Sequence, residues 1–513
     1  MATAVKPRAR MRRWQVGDAA TGYSIPKGSK SAWRRIDELA GIGLPHQAVE
    51  PWRRIVSIAR SNGCRSVVCE HRYVDRDYRS EFSQFWSRRF NEKPSLATRV
   101  HFFRAELGPE HLHRLPPNHG YLGYSVLRPT ELGPVGRTVV APPPEVTTAT
   151  LTMLRDRPTF FGQELSVEGV PFYQQDGEFL SCAHAAAWIC HYVAHHRHVV
   201  ARHTTGDIAQ LPPAQLSRFR ALPASGLNSE QMQAMLTSIG IPAIAYGLDD
   251  LPTVPGRPRT GPELEDLVDY RDRVVGIVCK YLTSGFPVIV LTDDHAFTLV
   301  GWELRGADLR LIASDDQVGP YETIEVPVNA PLEDRRMPWI GFMMPVPPKV
   351  FLTGEAAETR ALASLSAEGD LADASGEKDE PSTGAGSVAG SIGPDGALGL
   401  RTQLMECRTF KARIGEQGRP GELVRLYRLA HLSHWVWVIE FHDKRRSDAG
   451  KPCVVAEVIM DSTSHDDLPF VHLLATRELA MDVAEMRKVG AQDSSVAIRR
   501  HMRPWRSLSS LDG

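Results

Sequence analysis

Between residues 181 and 346 the spacing of apolar residues changes once, and that change restricts the fold more than any other feature of this chain. Upstream, apolar positions recur every three to four residues, as in helices with a buried stripe; downstream they alternate or run in short unbroken stretches, as in strands. A helix is expected from about Ser181 to Val200. A second lies in "SGLNSEQMQAMLTSIG", where Asn228 or Ser229 serves as N-cap and Gly240 as stop. "PELEDLVDYRDRVVGIVCKYLTSG" gives a third. Strands then follow in series: "FPVIVLT", "HAFTLVGWE", "LRLIASD", "YETIEVP" and "WIGFMMPV". A helical half followed by a sheet half is an α+β arrangement.

At 513 residues the chain is long for one domain, and two or three compact units are expected. The stretch "AEGDLADASGEKDEPSTGAGSVAGSIGPDGALG" is nearly free of large apolar side chains, so residues 354–398 are expected to form a flexible linker. Before it, the prolines near residue 142 suggest a boundary. The expected division is therefore an N-terminal α/β region over 1–145, an α+β domain over 146–350, the linker, and a β-rich region over 399–513. In the first region "PWRRIVSIAR" and "DRDYRSEFSQFWSRRF" read as helices beside a strand "RSVVCEH". "YLGYSVLRPTELGPVGRTVVAPPP" reads as two strands around a Pro/Gly turn.

Overall charge excludes little: the formal net charge is -1, with no global pull toward nucleic acid or anionic membrane. The first hundred residues are basic, with 20 Lys and Arg against 9 Asp and Glu. The N-terminus lacks the apolar stretch of a secretory signal, and no run reaches the roughly 18–20 apolar residues a membrane helix needs. Seven scattered cysteines without a framework spacing suit a reducing compartment, so a cytoplasmic protein is expected.

The chemistry centres on "YQQDGEFLSCAHAAAWICHYVAHH", residues 173–196. Cys182 stands in the first turn of the expected helix, in line with the inward-facing Ala186, Ile189 and Val193. A helix start offers unpaired N–H groups and a partial positive charge, which favour a thiolate and can hold an oxyanion. A thiol nucleophile needs a base close in space. His295 supplies one at the opening of an apolar strand, and the next strand ends in Asp315 and Asp316, either of which can orient the imidazole. Gln174 or Gln175 precedes the cysteine, where an amide can complete an oxyanion hole.

Gln, then a helix-start Cys, then His in "HAFTLVGWE", then a carboxylate in "SDDQVGPY" resembles the order in papain-like cysteine peptidases. The likeness is greatest to the leader-peptidase domains of bacteriocin exporters and their stand-alone bacterial relatives, and covers about residues 170–345. It implies a papain-like core in which Cys182 is the nucleophile, His295 the base and then acid, Asp315 the orienting group and Gln175 the oxyanion donor. It implies a peptidase working through a thioester, with a protein or peptide substrate and neither cofactor nor metal. Acyl transfer, deamidation or isopeptide cleavage on the same fold is the alternative, and a non-catalytic binding protein, with His295 too far from the thiol to bond, is another.

Other residues are expected to play plainer parts. His184, His191, His195 and His198 fall in one stripe with Trp188, far round the helix from Cys182. The stripe is expected to be solvated or partner-facing, with zinc binding as the sharper reading. Glu440, Glu457, Asp461 and His465 are expected on the polar face of a C-terminal sheet. The arginines and aromatics of the first hundred residues read as ordinary amphipathic helices, nucleic acid being an improbable partner. The flanking regions are expected to select or present the substrate, and to meet any partner protein.

Overall fold

A computed structural model describes residues 11–27, 29–40, 46–90, 92–198, 200–210, 226–247, 264–305, 308–326, 333–334, 337–367, 398–416, 421–448, 451–464, 470–476, 480–482 and 505–506. The fold is α+β, in two compact units: residues 1–275 with 285–348, and residues 276–284 with 349–513.

The first unit holds two large sheets. Eight strands make the N-terminal one, in the order Arg12–Val16, Ala20–Ser24, Ser66–Tyr73, Ala97–Phe103, Tyr121–Leu127, Val135–Val140, Val167–Phe172 and Leu154–Asp156. Every pairing in it is antiparallel, so this region is α+β, where an α/β arrangement was expected. The expected boundary near residue 145 is also overturned. Val167–Phe172 pairs with Val135–Val140, with Val170 opposite Val140 and Phe172 opposite Thr138. The prolines at 142–144 end a strand, as proline does at a sheet edge, without ending the folding unit. The chain turns through Pro144–Val146, whose Val146 is buried, and returns to the same sheet.

The second sheet runs Ala243–Gly247, Gly341–Pro345, Val288–Leu291, Ala296–Arg305, Asp308–Asp315 and Gly319–Glu325, again antiparallel, with Thr150–Leu151 added beside Ala296–Arg305. Between the sheets lies the helix Cys182–Arg197, whose residues Ala183 to Ala194 are all buried. The Thr298 hydroxyl donates to the Ala186 carbonyl at 3.5 Å on one side. On the other, the Trp188 ring lies 4.8 Å from that of Tyr173, and its indole N–H donates to Asp77 at 3.2 Å. Alanines at 183, 185, 186 and 187 let both sheets approach the helix closely. One apolar cluster, from Trp52 and Phe102 through Trp188 to Val300 and Ile312, runs through both sheets and the helix. Truncating any of its large aromatics to alanine should cost about 3–5 kcal/mol.

In the second unit the strands Leu398–Glu406, Trp435–Asp448, Lys451–Asp461, Phe470–Thr476 and Ala480–Asp482 pair in sequence order. Residues 354–367, expected as linker, are instead a helix, Gly354–Ala367, with Ala357 and Ala361 buried. Their alanine, leucine and glutamate content favours helix strongly enough to override a low-complexity appearance. The remainder of the expected linker, 368–397, lies outside the described residues. Glu440 and Glu457 face each other across the sheet and are buried, against the expectation of a polar face. The Tyr427 hydroxyl donates to Glu457 at 2.6 Å, the kind of partner a buried carboxylate needs. Asp461 accepts from the Thr463 N–H at 2.8 Å, closing a turn, and His465 lies outside the described residues.

Candidate active site

Cys182 opens its helix as the sequence predicts, after Ser181 in extended conformation, and is only half-buried, whereas Cys64, Cys69 and Cys190 are buried. The segment before it is held rigidly. Asp176 Oδ1 accepts from the backbone N–H groups of Glu178, Phe179 and Leu180 at 2.9, 2.6 and 3.1 Å, folding "DGEFL" into a tight loop. The buried Arg128 donates to the Gln174 carbonyl at 2.6 Å and to Glu81 at 2.9 Å. Burial lifts the Glu81 carboxyl to about 7 even though the Arg128 charge opposes the rise. Gly133, at φ +59°, passes so close that a Cβ would meet the Gln175 carbonyl at 1.9 Å; no other residue fits there.

The two glutamines divide clearly. Gln174 is buried and its amide is used at both ends: Oε1 accepts from the Val135 N–H at 3.1 Å, and Nε2 donates to the Ala48 carbonyl at 3.0 Å. It is a structural tie between the strand Val135–Val140 and the helix His46–Ser61. Gln175 is half-exposed and keeps its place next to the loop that leads to Cys182.

His295 sits in the turn between Val288–Leu291 and Ala296–Arg305. That turn is closed by the Thr292 N–H donating to the His295 carbonyl at 2.9 Å and the His295 N–H donating to the Thr292 hydroxyl at 3.2 Å. The ring stacks on Phe297, with centroids 6.0 Å apart. Its Nε2 lies 3.2 Å from Asp315 Oδ1 and 3.9 Å from Asp316 Oδ1. Register explains the preference for Asp315. Thr298 pairs with Ser314, so the strand ends at Asp315 directly beside the turn that carries His295.

Burial alone would push the imidazole toward neutrality. The hydrogen bond to Asp315, the nearby Cys182 thiol and the charges of Asp315 and Asp316 outweigh it, raising the ring to about 11. The arrangement therefore joins a thiol at a helix start, an imidazole that holds a proton, and a buried carboxylate. Such a set can carry out nucleophilic attack on a carbonyl followed by proton return.

One contact was not foreseen. The Gln317 amide lies 3.2 Å from His295 Nδ1, and the Gln317 backbone N–H donates to Asp315 Oδ1 at 2.7 Å. Gln317 thus touches both the base and its carboxylate. Only its place directly after the Asp pair signals this in the sequence.

The first half of the histidine stripe on the cysteine helix is not solvated, and His195 and His198 are half-buried. His184 and His191 are buried, and burial lowers them to about 4 and about 3; it lowers His198 to about 4. As a neutral acceptor, His184 Nδ1 takes the Ser181 N–H at 3.2 Å, and His191 Nε2 takes the His203 N–H at 2.9 Å. His195 Nδ1 lies 2.8 Å from the Val200 carbonyl. The wheel failed here because it assumes one buried face, while this helix has a sheet on each side. Among the described residues, no potential metal-holding group includes a stripe histidine.

No helix among the described residues is long and apolar enough to cross a membrane. No protein-family model matches the chain, and no curated protein matches its sequence. Among solved structures, a crystal structure of UfSP from C. elegans is similar over 35% of this chain and 34% of that one, at 12% identity and a TM-score of 0.21.

Proposed function

We propose that the chain is a papain-like thiol hydrolase that cleaves an amide bond in a protein or peptide. The reading rests on one observation: an imidazole bonded to a buried carboxylate lies beside the thiol that begins a buried helix, although the two come from distant parts of the chain. The high proton affinity of His295 favours residence of the shared proton on the ring. The Cys182 sulfur then adds to the carbonyl carbon, forming the C–S bond of a tetrahedral adduct. Collapse of the adduct breaks the C–N bond, and the amine leaves with the proton from His295. A water, losing its proton to the same ring, hydrolyses the thioester and restores the thiol. Asp315 keeps the ring oriented and offsets its charge. The backbone N–H groups at the helix start, with Gln175 as the proposed side-chain donor, stabilise the adduct oxyanion.

The test is a thiol-directed acyl probe applied to the purified protein, with the labelled residue located by peptide mapping. Cys182 should be labelled. Cys182→Ala should lose the label while keeping the wild-type unfolding midpoint, and His295→Ala should slow labelling by about 10²- to 10⁴-fold. Labelling that survives in Cys182→Ala would overturn the assignment.

A further inference from the structure

Acyl transfer of the kind just described uses one carboxylate behind the imidazole, yet two are present. Asp316 follows Asp315 directly, is buried like it, and turns its Oδ1 to the same ring nitrogen at 3.9 Å. One donor atom from each of His295, Asp315 and Asp316 lies within 4.8 Å of the others. We propose that these three residues form a site for a first-row divalent cation, with Zn2+ as the fitting member, and that its occupation blocks the proton-donating step at His295.

The spacing suits such an ion. Zinc bonds of about 2.0–2.1 Å in a tetrahedron put neighbouring donors roughly 3.3 Å apart. The imidazole nitrogen already stands 3.2 Å from one carboxylate oxygen and 3.9 Å from the other. One nitrogen and two carboxylate oxygens suit zinc and its neighbours; calcium and magnesium call for six or more oxygen donors. The ligands are also held in place, His295 by its stack on Phe297 and Asp315 by the Gln317 N–H at 2.7 Å. With both carboxylates ionised and the ring protonated, the cluster carries one net negative charge, which a dication exchanged for the ring proton neutralises.

That exchange has a chemical consequence. The cation takes the Nε2 lone pair and one proton leaves the ring. The one remaining proton, on Nδ1, can reach the leaving amine only by turning the cation-bound ring into an imidazolate, so the adduct cannot release its amine. The cation site needs nothing from Cys182, but the blocking effect rests on the function proposed above.

Chelator-treated full-length protein titrated with ZnCl2 by calorimetry should bind one equivalent through this site, releasing a proton detectable in buffers of different ionisation enthalpy. Asp316→Asn should weaken that binding by more than about tenfold, and Cys182→Ser should leave it unchanged. On the wild-type protein, the zinc-edge spectrum at one equivalent should show nitrogen and oxygen neighbours only. Zinc should also slow acylation of Cys182 by an acyl probe that expels an amine, the step that needs the His295 proton. Undiminished binding by Asp316→Asn, or a sulfur neighbour in the wild-type spectrum, would overturn the site. Failure of the acyl probe to label Cys182 while zinc binding still depends on Asp316 would reject the hydrolase and keep the cation site.

Discussion

Histidines occur in two buried settings in the first unit, and they are driven in opposite directions. On the cysteine helix, burial lowers His184, His191 and His198 to between about 3 and about 4. At the sheet rim His295 is enclosed as well, yet it is raised to about 11 because two carboxylates and a thiol lie against it. Enclosure by itself removes charge from an imidazole; enclosure beside carboxylates fixes the charge there. His184 and His191 accept backbone N–H groups, whereas the rim histidine holds a proton against carboxylates.

The most damaging way to break this contrast is to remove the carboxylate. Asp315→Asn should bring the His295 titration down from its raised position, read by NMR of the ring protons, and should slow Cys182 acylation by about 10²- to 10⁴-fold. An unmoved titration would show that Asp315 does not set the ring's charge. The two settings should next separate in the pH dependence of stability. The helix histidines titrate below their unfolded value of 6.5, so their contribution is present above pH 6.5 and is lost as pH falls toward about 4. His295 has the opposite sign: its contribution is complete below pH 6.5 and is lost as pH rises through about 11. Denaturant midpoints across pH should therefore fall on both sides, and His295→Gln should flatten the alkaline side alone.

A smaller effect is expected at the helix start. His184→Ala leaves the buried Ser181 N–H without its acceptor and should cost about 1–3 kcal/mol in chemical unfolding. A loss below that range would mean that water replaces the ring. The smallest change should come from Gln317→Leu, which removes one amide contact to His295 Nδ1. Its effect on the alkylation rate of Cys182 should stay under about tenfold, the value of roughly one hydrogen bond.

Much of this was legible from the residues. Chain order and strand alternation picked out Cys182, His295 and the Asp pair, which the structure brings together, because a cysteine at a helix start and a histidine at a strand start leave marks in local pattern. The choice of Asp315 over Asp316 needed the register of two strands, which sequence alone does not give. The histidine stripe was misread because a helix between two sheets has no solvated side. Glu440 and Glu457 were misread for a related reason: a glutamate pair can be buried once a tyrosine hydroxyl comes from a distant helix to meet it. Gln317 and Arg128 act through contacts to residues far off in sequence, and no periodicity reports such contacts.

The strand Val167–Phe172 is hydrogen-bonded to Val135–Val140, and Tyr321, from the far sheet, places its hydroxyl between the Val140 carbonyl and the Val170 N–H at 2.8 and 2.9 Å. The half of the molecule bearing Cys182 is thus not a portable cassette. Cut out near residue 145, it would leave with a raw sheet margin and an orphaned tyrosine, and the piece left behind would lose its last two strands. Anyone building a minimal fragment should begin upstream of Arg12, so that the amino-terminal sheet stays whole.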